Sequence, residues 1–89
     1  MKDSIKKNIL RRLKIVEGQA RGLQKLVEGD VYCVDIISQS AAVKNAISSV
    51  EDLVLENHLS THVVEQMKAG RENRAVKEIL EIYRLSKKR

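Results

Sequence analysis

The chain has 89 residues, 43% hydrophobic and 33% charged, a length that leaves room for one small core. Phe, Trp and Pro are absent and the only aromatic residues are Tyr32 and Tyr83, which argues against an all-β fold. A single cysteine, Cys33, excludes an internal disulfide. No apolar run approaches the roughly 18 residues of a membrane span. Met1–Lys7 lacks the apolar stretch of a signal peptide, so a reduced, cytoplasmic location without a membrane partner is expected. The formal charge is +5, from 17 Lys and Arg against 12 Asp and Glu. Residues 1–30 carry net +4, residues 31–70 net −3 and residues 71–89 net +4. Two basic ends around an acidic middle suit a polyanion, most simply nucleic acid. A solvated helix surface is the plainer alternative.

Ile5, Ile9, Leu13, Val16, Ala20, Leu23 and Val27 recur at spacings of four and three, which is one stripe along a helix. Gly18 and Gly22 share a face, and a close approach by another helix would explain why they are tolerated. Gly29 is expected to end this helix and Asp30 to cap the next. No breaker occurs from Val31 to Ala69, so one long helix is predicted, with Ile36, Val43, Ile47, Val50 and Val54 along one side. Gly70 breaks it. Asn73 is expected to cap a third helix on which Val76, Ile79, Leu80 and Tyr83 point one way, and Ser86–Arg89 reads as a solvated tail. The fold class is therefore all-α, with three helices per protomer in one domain, residues 1–89. Helices this long cannot cover their apolar stripes within one hairpin. Two hairpins closing into an antiparallel four-helix bundle across a two-fold axis is the expected solution.

Three residues could carry chemistry. Cys33 falls in the first turn of the second helix, where unpaired N–H groups and the helix dipole favour an anion. His58 and His62 are four apart and share a helical face. A thiolate and two imidazoles make a three-ligand set for a transition metal. Cys33 and His58 are 25 residues apart, roughly 37 Å along one helix. They could share an ion only between two antiparallel protomers. The plainer readings are a small buried hydrophobe for Cys33 and two solvated histidines. Leu59 follows His58 where a zinc protease needs Glu, there is no Gly-rich phosphate loop, and Cys33 with His58 cannot form a nucleophilic pair across that distance. No enzymatic activity is expected.

Three blocks carry a family resemblance. Lys14-Ile15-Val16-Glu17-Gly18-Gln19-Ala20-Arg21-Gly22-Leu23 is the first; Tyr32-Cys33-Val34-Asp35-Ile36, followed by Gln39-Ser40-Ala41-Ala42-Val43, is the second; Glu56-Asn57-His58-Leu59-Ser60-Thr61-His62-Val63 is the third. In order and spacing they resemble the CsoR/RcnR family of bacterial metal-responsive repressors, over about Leu10 to Leu85. The resemblance implies a three-helix protomer, a homodimer of antiparallel hairpins and usually a homotetramer. It implies a metal-free form that binds operator DNA without a helix-turn-helix and is released by its effector. The family's ligands map onto Cys33, His58 and His62. Tyr32 and Glu78 fall where the copper subtype has a Tyr and a Glu around the ligand His. The DNA-contacting Arg maps onto Arg12, with Arg11, Lys14 and Arg21 as neighbours on the first helix and Lys25, Lys87, Lys88 and Arg89 as weaker candidates.

The effector follows from few positions. The copper subtype resembles this chain at Tyr32, Cys33, His58 and Glu78 but usually has Cys where His62 stands. The nickel/cobalt subtype adds N-terminal nitrogen ligands, including a His near residue 3; here that residue is Asp3 and no His precedes His58. The persulfide-sensing subtype needs two Cys and the formaldehyde-sensing subtype an N-terminal Pro, neither of which this chain has. Cu(I), soft and content with three ligands, is the expected effector. His62 in place of a thiolate leaves Zn(II), Ni(II) and Co(II) as alternatives. A metal buffer with no DNA role is the other alternative.

Overall fold

The computed structural model describes residues 1–87; Lys88 and Arg89, the end of the expected tail, lie outside the described residues. The described residues are helical and contain no strand, as an all-α fold requires. α1 spans Asp3–Glu28 and α2 spans Cys33–His58. α2 runs directly into a π-helical segment, Leu59–Val63, and then α3, Val64–Lys68, so the long second helix of the sequence reading is continuous but changes register near its end. α4 spans Glu72–Ser86. Two compact units divide the chain, residues 1–55 and residues 56 onward.

In the first unit, the covered side of α1 carries Ile5, Ile9, Arg12, Val16, Gln19, Leu23 and Leu26, at alternating spacings of four and three. That is the seam of a heptad repeat. The expected stripe shares Ile5, Ile9, Val16 and Leu23 with it but places Leu13, Ala20 and Val27 where the structure has Arg12, Gln19 and Leu26. The apolar face of α1 is wider than one neighbour can cover, so Leu13 and Val27 remain exposed. On α2, Ile36, Val43 and Val50 are covered as expected, whereas Ile47 and Val54 are exposed. Arg12 ties the two helices together: its Nη1 donates to Ser49 Oγ and its Nε to Asn8 Oδ1 at 3.3 Å. Its aliphatic stem fills an apolar position while the guanidinium finds oxygen partners. No atom lies within 4 Å of where a Cβ would stand on Gly18 or Gly22, so the close helix approach expected there does not occur among the described residues.

The turn after α1 corrects a second expectation. Asp30, not Gly29, takes the left-handed conformation, at φ 50°. Its N–H donates to Val27 O at 3.1 Å, and the Val31 N–H donates to Leu26 O at 3.1 Å. This is a Schellman closure with aspartate in the place usually held by glycine. Asp30 therefore closes α1 and does not cap α2, whose first turn is bonded through the Tyr32 carbonyl to the N–H groups of Asp35 and Ile36. In the second unit Gly70, at φ +74°, closes α3 in the same way, with Arg71 N–H donating to Gln66 O at 2.7 Å. α4 then starts at Glu72, its first carbonyl acceptor being Arg71, so Asn73 lies inside the helix and is not its cap. Val63 and Ala75 are the buried apolar side chains of this unit, while Val76, Ile79, Leu80 and Tyr83 are exposed.

Gly70→Ala should lower stability by about 1–2 kcal/mol, the cost of a left-handed L-residue, because an added Cβ would touch nothing and only the backbone conformation is strained. Asp30→Gly should raise stability by relieving the same strain. Urea unfolding at one fixed protein concentration checks both, and an unchanged midpoint for Gly70→Ala would contradict the conformational account.

Candidate metal centre

The site begins at the Asn57 carbonyl. Thr61 Oγ1 donates to Asn57 O at 2.6 Å and Ser60 Oγ donates to it at 3.3 Å. In an α-helix that oxygen serves the N–H four residues on. Just beyond it the backbone widens to i to i+5 turns over Leu59–Val63. Asn57 is buried, at 5% exposure, so the acceptor is held firmly.

His58 immediately precedes this segment and His62 lies within it. Their ring centroids lie 5.4 Å apart with the planes inclined at 31°. An ion about 2 Å from one nitrogen of each ring would sit roughly 3 Å from each centroid, so this spacing fits two imidazoles on one metal. His62 is exposed and His58 half-buried.

Glu78 of α4 organises the His58 side. Its Oε2 is 3.2 Å from His58 Nε2 and accepts a hydrogen bond from Gln66 Nε2 of α3 at 3.3 Å. Its Oε1 accepts from Arg74 Nε at 3.1 Å. The His58 approach is not aligned as a hydrogen bond, and Nε2 has no other partner. A carboxylate beside Nε2 favours the proton on that nitrogen and leaves the lone pair of Nδ1 for a ligand. The hydrogen bonds from Gln66 and Arg74 hold the Glu78 carboxyl below the usual carboxylate range; partial burial opposes this, and the charges of Arg74 and His58 add to the lowering.

The structure thus brings His58, His62 and Glu78 together in the second unit. Cys33 and Tyr32 belong to the first unit, Cys33 exposed as the first residue of α2 and Tyr32 exposed at 72% just before it. Among the described residues, no group of three His, Cys, Asp or Glu within the chain could hold a metal ion. The basic residues of α1 divide into two kinds. Arg11, Lys14 and Arg21 are exposed and line up with Lys7 and Lys25 along one side. Arg11 also bonds Asn8, and Arg21 pairs with Glu17 at 2.8 Å. Arg12 points instead toward Ser49 and is half-buried.

Residues 5–85 match the family model described as metal-sensitive transcriptional repressor. The chain belongs to this repressor family. The copper-sensing transcriptional repressor CsoR of Bacillus subtilis (strain 168) is 42% identical to this repressor over 79 residues, covering 89% of this chain and 78% of that protein. The copper-sensing transcriptional repressor RicR of Mycobacterium tuberculosis is 42% identical over 65 residues, covering 73% and 68%. A crystal structure of the copper-sensing repressor CsoR with Cu(I) from Geobacillus thermodenitrificans NG80-2 matches the fold with a TM-score of 0.88 at 35% identity, over 99% of this chain and 91% of that one. The repressor is a regulator of transcription and not an enzyme. No helix among its described residues is long and apolar enough to cross a membrane.

Sequence reading missed Gln66 and Arg74. The i, i+4 spacing of Arg74 and Glu78 was a usable signal for that pair. Gln66 reaches Glu78 only through the turn at Gly70, which no spacing reveals.

Because the Glu78 pKa is lowered by folding, its contribution to stability is complete above the ordinary carboxylate range and disappears as pH falls through the lowered value. The gap in urea midpoint between the parent and Glu78→Gln should therefore be widest near neutral pH and close as pH falls through the lowered value. A gap that stays constant with pH would show that the carboxylate charge plays no part.

Proposed function

We propose that this repressor senses Cu(I): it binds operator DNA when metal-free and leaves it when the ion is held by Cys33 of one protomer and His58 and His62 of its partner. The observation that carries the reading is the pair of imidazoles 5.4 Å apart with His58 Nε2 turned toward Glu78. The copper-sensing relatives and the Cu(I)-bound neighbour support the choice of ion. Cys33 opens α2 and His58 closes it, so a thiolate and imidazoles meet where two such helices run antiparallel. Uncovered apolar residues on every long helix, among them Leu13, Ile47, Val54 and Leu80, supply the surface for a homodimer and for its pairing into a homotetramer. Bound there, Cu(I) would supply a soft cation that accepts three mixed sulfur and nitrogen ligands.

The chain's own residues carry the response. His58 touches Glu78, and Glu78 is tied to Arg74 within α4 and to Gln66 of α3. Any reorientation of the His58 ring reaches α4 through that one carboxylate. Tyr32, beside Cys33, joins the imidazole from the other protomer. The DNA side is the exposed line of Arg11, Lys14 and Arg21, flanked by Lys7 and Lys25. Arg12 contacts phosphate by exchanging Ser49 for it. Contacts of this kind neutralise phosphates, and specificity then rests on DNA shape.

A mobility-shift assay on the repressor's own promoter tests the proposal. The metal-free chain should bind, and Cu(I) should weaken binding by about 5–150-fold per site, the usual range of allosteric coupling. Cys33→Ala should keep DNA binding and lose the copper response. Failure of the metal-free protein to bind DNA would favour a metal buffer. A stronger response to Zn(II), Ni(II) or Co(II) than to Cu(I) would replace the effector. Lys14→Ala should weaken binding to all sequences alike and reduce the salt dependence by about one counterion; an unchanged salt slope would remove Lys14 from the interface.

A further inference from the structure

On α1 one neutral side chain holds two cationic ones. Asn8 Oδ1 accepts from Arg11 Nη2 at 3.2 Å and from Arg12 Nε at 3.3 Å. Adjacent residues project about 100° apart around a helix and do not face each other, so the two guanidiniums meet at this shared acceptor. A third bond, from Arg12 Nη1 to Ser49 Oγ, anchors the pair to α2. Arg11 is exposed and Asn8 and Arg12 are half-buried, so the pair lies at the surface. The acceptor carries no charge. Arg21 stands in the same i, i+4 relation to Glu17, and there a carboxylate pairs with the guanidinium at 2.8 Å. Among the described residues no carboxylate pairs with Arg11 or Arg12. Two cations brought to one neutral oxygen repel each other until an anion joins them. Each guanidinium has five N–H donors. Arg11 spends one on Asn8, and Arg12 spends one on Asn8 and one on Ser49. The others suit the oxygens of a phosphate, which guanidinium binds through forked pairs of hydrogen bonds.

We propose that Asn8 is a positioning residue for DNA: its carboxamide gathers Arg11 and Arg12 into a clamp for one backbone phosphate. The proposal rests on the DNA part of the reading above and is independent of the ion. Asn8 acts through the two arginines. Its Oδ1 keeps Arg12 Nε in place while Nη1 exchanges Ser49 for a phosphate oxygen. A carboxylate at this position would hold the same geometry but cancel the charge that the phosphate needs. A phosphate carries no base identity, so the clamp raises affinity without choosing sequence.

The test uses the full metal-free chain, a duplex from its own promoter and a duplex of scrambled sequence. Asn8→Ala should weaken binding to both duplexes about fivefold. Asn8→Asp keeps an acceptor and adds a charge like the one Glu17 presents to Arg21. It should leave the urea midpoint level or higher, yet weaken binding about tenfold and flatten the salt dependence by about one counterion. A side chain serving the fold alone would move stability and binding in the same direction. Asn8→Ala combined with Arg11→Gln should lose less than the product of the two separate losses, because both break one clamp. In NMR spectra of the free protein, the Arg12 Nε–H signal should exchange with water faster in Asn8→Ala than in the parent. The proposal is overturned if Asn8→Ala binds DNA as the parent does, or if the losses from Asn8→Ala and Arg11→Gln simply multiply. Should the parent bind no DNA, the DNA reading falls and the clamp with it; a parent that binds DNA with no regard to Asn8 removes the clamp alone.

Discussion

The structure depends on a mismatch between helix surface and available cover. α1 and α2 are 26 residues each, about 39 Å long, and both carry apolar residues around more of their circumference than one neighbouring helix can shield. Among the described residues only Ile9, Val50, Val63 and Ala75 are buried apolar side chains. Leucines, isoleucines and valines on all the longer helices stay in water within one copy. Burial of apolar surface is the main stabilising term of any fold, so this much uncovered apolar surface favours association. A metal site divided between copies would place sensing on the same interactions that hold the assembly together.

Glu78 carries the second dependency. One carboxylate meets an imidazole, an amide and a guanidinium, drawn from the end of α2, from α3 and from α4 itself. Such a fork gives His58 a preferred orientation and ties that orientation to the helix bearing the carboxylate. Partners around a ligand residue matter as much as the ligand, because they decide which nitrogen is free and what moves with it.

Much of this was readable from residues alone. The three-and-four spacing of Ile5, Ile9, Val16 and Leu23, the uninterrupted stretch after Val31 and the break at Gly70 led to the observed helices. The pairing of His58 with His62 followed from their separation. The rest was hidden for identifiable reasons. Asp30 looked like a cap because aspartate caps helices well, yet local closure by Leu26 and Val27 carbonyls drew it into the left-handed region instead. Arg12 and Gln19 entered the covered side of α1 because a wide apolar face leaves the choice of seam to the neighbouring helix. The π turn over Leu59–Val63 leaves no mark in the spacing of apolar residues.

The exposed Tyr32 has a practical consequence for anyone studying this repressor. With no Trp and only one other tyrosine, Tyr83, whose ring lies 4.4 Å from the Lys87 ammonium, the protein is nearly dark in the near ultraviolet. Tyr32 stands one residue from Cys33, so its phenol emission is a built-in reporter of events at that sulfur, free of the indole background that obscures such signals in most proteins.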